Sequence, residues 1–208
     1  MIVHDAIQGS ENWRNLRLGI PTCSQFHRIL TPSTRKLSAQ STAYAIELCT
    51  EYLLGQPVDA GASQWTRRGS ELENEAASWY GFDRDVKVEK IGFCTTDDGR
   101  WGGSPDGLIG DSGLIEIKCL SAVNQTAALL GATNDGYVLQ AQGYLLLTDR
   151  KWIDRCWYNP SIKPVVQHVE RDDDLIAELA QAVEDFADRL AGMKARLIEM
   201  GCCPKGKP

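Results

Sequence analysis

The sequence predicts an α/β (α+β) domain in which helices flank a central mixed β-sheet. Three observations predict it: apolar residues at helical spacing recur along the chain, short period-2 runs lie between them, and no repeat or linker divides the whole. At 208 residues, 43% hydrophobic and 24% charged, the chain has apolar material for one core, so a single domain over 1–208 is expected. That composition excludes a disordered chain, and 19 glycines with 8 prolines exclude a collagen-like one.

Residues 38–54 read as a helix, because Ala45, Leu48, Cys49 and Tyr52 fall on one side and Gly55 supplies a stop. A second helix is expected over 66–80, with Leu72, Ala76, Trp79 and Tyr80 on its apolar side and Gly81 ending it. A β-rich stretch follows, with Val86 and Val88 alternating, then Phe93, and turn-formers at 97–103. Gly113–Cys119 reads as a short strand. Helical runs at 121–131 and 136–147 are separated by Thr133-Asn134-Asp135-Gly136. Residues 151–159 and 165–169 read as strands. A long helix over 172–200 closes the chain, its acidic start favoured by the helix dipole, and is expected to cover one face of the sheet. A flexible tail is expected over 201–208.

No apolar run approaches the roughly 20 residues that span a bilayer. The N-terminus, MIVHDAIQGSENW, has an acid where a secretory signal needs bases, so a cytoplasmic protein without a membrane partner is expected. The seven cysteines are odd in number, widely spaced and free of any C-x-x-C pair, so they read as reduced core residues. Net charge is −6, which argues against a uniform nucleic-acid coat. Residues 1–68 nevertheless carry seven bases against five acids, and a polyanion would be gripped there if anywhere. A solvated surface of mixed sign accounts for these counts equally well.

The chemistry concentrates in Gly103-Ser104-Pro105-Asp106-Gly107 and Glu116-Ile117-Lys118. Strand alternation puts Leu114, Glu116 and Lys118 on one face and Ile115, Ile117 and Cys119 on the other. An acid and a base on an otherwise apolar strand are costly to bury without a use. Asp106, at a Pro-Asp-Gly turn ten residues before Glu116, is at a hairpin-like separation from it. Two carboxylates meeting a lysine suit a hard divalent ion and an attacking water. Taken singly, Pro-Asp-Gly is an everyday turn and Glu-x-Lys a surface ion pair. Glu73 borders the apolar side of its helix, near Ala76, Ala77 and Tyr80, and is open to either a cleft or solvent. Tyr137, Gln140 and Tyr144 share a helical face, which suits a site wall or an ordinary interface.

In this order, Asp106, Glu116 and Lys118 resemble the Asp…Glu-x-Lys signature of restriction-endonuclease-like nucleases, and the chain more narrowly resembles the lambda exonuclease and YqaJ family of phage recombination nucleases. The resemblance extends over Trp13–Ser24, Gly69–Ala76, Ser104–Leu108, Glu116–Cys119 and Tyr137–Tyr144. Residues 62–68 depart from the family pattern, and Pro21 and Cys23 stand where other residues are usual.

The resemblance implies a restriction-endonuclease-like nuclease core and a Mg²⁺-dependent 5′-to-3′ exonuclease of double-stranded DNA ends. Such an enzyme leaves 3′ overhangs for recombination by single-strand annealing. It further implies two Mg²⁺ ions, replaceable by Mn²⁺. Asp106, Glu116 and the Ile117 carbonyl would be ligands, with Glu73 at the second ion. Lys118 would position and activate water, Gln140 would support it, and Arg17 and Ser24 would hold the 5′ phosphate. Ser104 and Tyr137 would touch DNA, Arg67 and Arg68 its phosphates, and Trp65 would stack on a base or fill the core. A homotrimeric ring, an annealing-protein partner and the bacterial host cytoplasm complete the expectation. The same residues leave room for a site- or structure-specific endonuclease, an inactive DNA-end-binding module, or a calcium-type structural site that Lys118 would make awkward.

Overall fold

The computed structural model describes residues 1–58, 64–132 and 136–205, with 64–71 and 136 described by their backbone alone. In chain order, β1 (Ile2–His4) and α1 (Glu11–Arg17) precede a 3₁₀ turn at Cys23–Arg28, then α2 (Ser41–Leu54) and α3 (Gln64–Arg84). Four short strands follow, β2 (Val88–Glu89), β3 (Phe93–Thr95), β4 (Gly102–Gly103) and β5 (Gly107–Ile109), and then β6 (Gly113–Cys119). The remainder is α4 (Ala122–Leu129), α5 (Gly136–Thr148), β7 (Trp152–Asn159), β8 (Ile162–Glu170) and α6 (Asp173–Glu199).

Five strands form a mixed sheet in the order β2-β5-β6-β7-β8, and β1-β3-β4 form a second, three-stranded sheet. Among the described strands, β6 and β7 alone pair in parallel, joined by the α4–α5 crossover that parallel pairing requires. The β6 alternation divides the core as the sequence predicts. Leu114 packs into the larger cluster with Phe26, Leu48, Leu139, Leu145 and Leu179, while Ile115 and Ile117 pack beneath α3 with Ala76, Tyr80, Cys156 and Tyr158.

Three expectations are corrected. Helix α3 does not stop at Gly81 but continues to Arg84. The stop falls on Asp85, whose φ of 52° turns the chain left-handed, and the Val86 N–H donates to the Gly81 carbonyl at 3.0 Å. A Cβ on Gly81 would stand 2.9 Å from the Val86 carbonyl oxygen, so this glycine admits the returning chain instead of ending the helix. Second, Pro105-Asp106-Gly107 is not the hairpin turn. The turn lies between Ile109 and Gly113, which pair, and Asp106 leads into β5. Third, α6 packs chiefly on α2 and α5, forming an outer layer rather than a direct cover for the sheet. Asp172 caps it, accepting from the Leu175 N–H at 2.9 Å.

All seven cysteines are free thiols. Cys23, Cys49, Cys94 and Cys156 are buried, Cys119 and Cys202 half-buried and Cys203 exposed. Beyond α6, the Lys205 N–H donates to the Leu53 carbonyl at 3.2 Å, bringing 201–205 back against the end of α2. Among the described residues, no helix is long and apolar enough to cross a membrane.

Candidate active site

Strand pairing creates the site. Gly107 pairs with Ile115, and the Asp106 N–H donates to the Ile115 carbonyl at 3.1 Å, so Asp106 lies one step further along, opposite Glu116. The Ile117 N–H then donates to Asp106 Oδ2 at 2.6 Å. A strand residue points its N–H and C=O to the same side, so the Ile117 carbonyl also faces the Asp106 edge. Glu73, Asp106 and Ile117 line one cleft of about 310 Å³ together with Asn74, Lys90 and Gln8.

On the other face of β6, Glu116 is 6% exposed. Lys118 Nζ and Gln140 Nε2 both donate to its Oε1, each at 2.6 Å, while Oε2 is buried without a protein partner. Gln140 also donates to the Tyr144 hydroxyl at 2.9 Å, which donates to the Ser104 carbonyl at 3.1 Å. Ser104 Oγ accepts from Trp13 Nε1 at 2.8 Å. One chain of hydrogen bonds therefore ties α1, α5 and the approach to β5 to the Glu116 carboxylate. Tyr137 lies beside it, with Lys118 Nζ 5.4 Å from its ring centre.

Arg17 stacks on Trp13 at 4.0 Å and lines a second cavity, of about 480 Å³, with Arg14, Thr22, Arg28 and Tyr44. Arg28 is held by Glu47 at 2.7 Å and Arg14 by the Gly9 carbonyl at 2.7 Å. Among the described residues, Arg17 alone of these three makes no hydrogen bond or ion pair. Burial pulls its pKa down, offset in part by Tyr144 and Tyr44. Ser24 is set back from this cavity, with its Oγ 3.3 Å from that of Thr22. The side chains of Trp65, Arg67 and Arg68 lie outside the described residues.

A family model described as the YqaJ-like viral recombinase domain matches residues 12–151. The chain belongs to that family. Among solved structures, an alkaline exonuclease (LHK-Exo) from Laribacter hongkongensis is 30% identical, with a TM-score of 0.81 over 92% of this chain and 98% of that one. The same enzyme in complex with dAMP superposes with a TM-score of 0.80 at 30% identity, again over 92% and 98%. A phage-related exonuclease from Haemophilus somnus 129PT, 21% identical over 84% of this chain and 96% of its own, shares the fold with a TM-score of 0.63. No curated protein matches the chain.

The electrostatics of this YqaJ-like site are those of acids short of positive charge. Burial, then the Glu116 carboxylate, raises the Asp106 pKa well above the ordinary carboxylate range, against the opposing pull of the Ile117 N–H and Lys118. Glu73 is raised for the same two reasons, burial first and Glu116 second. Burial lowers Lys118, but Glu116 and then Asp106 more than compensate, and it is held as an ammonium. No three Asp, Glu, His or Cys side chains form a metal cage by themselves among the described residues. The set instead offers two carboxylates, a backbone carbonyl and Glu73 across the cleft. Mg²⁺ is commonly bound by one or two carboxylates, its remaining positions filled by water and substrate phosphate. The unpartnered Glu116 Oε2 fits such an ion, because a buried carboxylate oxygen without a donor calls for a cation.

The resemblance assigns no role to Trp13 or Tyr144, and no sequence pattern points to Gln8, Asn74 and Lys90 at the cleft. The four-residue spacing of Gln140 and Tyr144 was a usable signal for one; for the cleft residues the chain pattern has none.

Proposed function

We propose that this protein is a Mg²⁺-dependent exonuclease acting at double-stranded DNA ends. It removes nucleotides 5′ to 3′ and leaves a 3′ single-stranded overhang for phage-type recombination by strand annealing. The observation that carries the reading is the meeting of Asp106, Glu116, Lys118 and Gln140 at the edge of β6 with Glu73 across the cleft, in a chain 30% identical to an alkaline exonuclease.

Asp106, Glu116 and the Ile117 carbonyl would hold the metal, and Glu73 would hold a second ion or its waters. When bound, Mg²⁺ neutralises phosphate charge and makes a coordinated water more acidic. Lys118, an ammonium fixed by Glu116, donates to the attacking water or a phosphate oxygen. Gln140 keeps the Glu116 carboxylate from rotating. Water bonds to phosphorus as the bond to the 3′ oxygen breaks. The released nucleotide keeps its own 5′ phosphate, and the shortened strand gains a new one. Arg17, stacked on Trp13 and hydrogen-bonded to no carboxylate among the described residues, receives that phosphate, with Ser24 assisting from behind Thr22. Ser104, bonded to Trp13, and Tyr137, beside Lys118, contact the DNA nearer the acids. A homotrimeric ring around the duplex reconciles a net charge of −6 with DNA binding, since only the channel has to be positive. An annealing protein would take up the exposed strand.

The deciding experiment uses a linear duplex labelled separately on each strand end, incubated with Mg²⁺ or with chelator. Mononucleotides released from 5′ termini alone, and only with metal, are expected. Cutting of a covalently closed circle would replace this reading with an endonuclease, and binding to ends without hydrolysis with an inert end-binding module.

A further inference from the structure

Glu73 approaches the cleft from α3, which packs on the sheet through Tyr80 but presents only small side chains next to Glu73. The buried face of α3 beside Glu73 is made of Ala76, fully buried, and Ala77, and alanines leave no knob to engage a sheet. Two hydrogen bonds to β7 add directional constraints that the alanines cannot supply. Tyr80 Oη donates to Asp154 Oδ2 at 2.7 Å, and Tyr158 Oη donates to Glu75 Oε1 at 2.6 Å. They bracket the alanines, one from each side, with the tyrosine on the helix in the first and on the strand in the second. Tyr158 lies four strand steps beyond Asp154, about 13 Å, so the two hydrogen bonds are spaced to oppose both sliding and swinging of the helix. Asp154 is itself pinned from β8, where His168 Nδ1 lies 2.6 Å from Oδ1 and His168 Nε2 lies 3.0 Å from Glu170.

We propose that Tyr80 and Tyr158, through Asp154 and Glu75, are positioning residues that set the register of α3 so that Glu73 faces the metal across the cleft from Asp106. None of them touches substrate. The inference rests on the functional reading above and adds a mechanism of metal affinity to it.

Tyr80→Phe and Tyr158→Phe each remove one hydroxyl and leave the ring in place. Both are expected to fold, with circular dichroism unchanged. Calorimetric titration with Mg²⁺, and with Mn²⁺, should show affinity weakened about three- to ten-fold. The Mg²⁺ concentration for half-maximal hydrolysis should rise by the same factor, with KM for DNA unchanged. Glu75→Gln keeps an acceptor for Tyr158 and should bind like wild type. In a Glu73→Gln background, Tyr158→Phe should weaken metal binding no further, because its effect passes through Glu73. Wild-type metal affinity in both phenylalanine variants, or full additivity with Glu73→Gln, overturns the proposal while leaving the exonuclease reading intact. A wild-type protein that binds no Mg²⁺ and cuts no DNA overturns both.

Discussion

Glu116 is satisfied on one oxygen and left open on the other, and that asymmetry defines what each neighbour does. Lys118 supplies charge and Gln140 supplies direction. Under the proposed function, Lys118→Ala should lower single-turnover hydrolysis about 10²- to 10³-fold, the usual cost of removing a donor aimed at developing charge. Gln140→Ala should cost about ten-fold, as loss of a ligand-orienting partner does. A Lys118→Ala enzyme that cuts at the wild-type rate would discard the mechanism. The pair Glu116–Lys118 was legible from strand alternation alone, and Asp106 from its separation along the chain. Glu73 and Gln140 were legible only as residues on a helical face, because a helix pattern does not say which neighbour it meets. Arg17 was visible only through family likeness, since its cavity joins α1, the 3₁₀ turn and α2, which no local spacing encodes.

Among the elements, β6, α2 and α6 were readable because each has a clear period and a clear stop. Helix α3 was misjudged at its end, where a left-handed aspartate does the work ordinarily given to glycine. Asp85→Gly relieves that conformation and should stabilise the fold by about 0.5–1 kcal/mol, about 1–4 °C in Tm by calorimetry. β1 and β4 escaped notice because strands of 3 and 2 residues are too short to show alternation. β4 matters for the site despite its length. A Cβ on Gly103 would lie 2.7 Å from both Cys23 Sγ and Tyr144 Cε1. Gly103→Ala should therefore cost about 1–3 kcal/mol in denaturant unfolding. It should also lower activity, because Tyr144 links Gln140 to Ser104.

For the whole molecule, one titrating group reports on the joint between β8, β7 and α3. His168 sits between Asp154 and Glu170, with the Trp152 ring centre 5.1 Å away. The hydrogen bond to Asp154, then that to Glu170, raises its pKa above the ordinary value. The folded protein thus favours the imidazolium. Its contribution to stability is complete below about pH 6.5 and fades as pH rises through the raised value. The Tm of wild type should drop from about pH 6 to about pH 8.5 more than that of His168→Gln, which cannot titrate there. Equal slopes for the two proteins would show that His168 has no such part.

The edge of β6 is where two separately packed layers meet, α5 contributing on one side and α3 on the other. Every support for the carboxylates from α5 and β7 is encoded after Lys118. A chain ending at β6 has its acids, Lys118 and the Ile117 N–H, but lacks Gln140 and the β7 residues that hold α3. Under the proposed function, full cutting competence therefore depends on segments translated after the acids themselves, Gln140 of α5 and Asp154 and Tyr158 of β7.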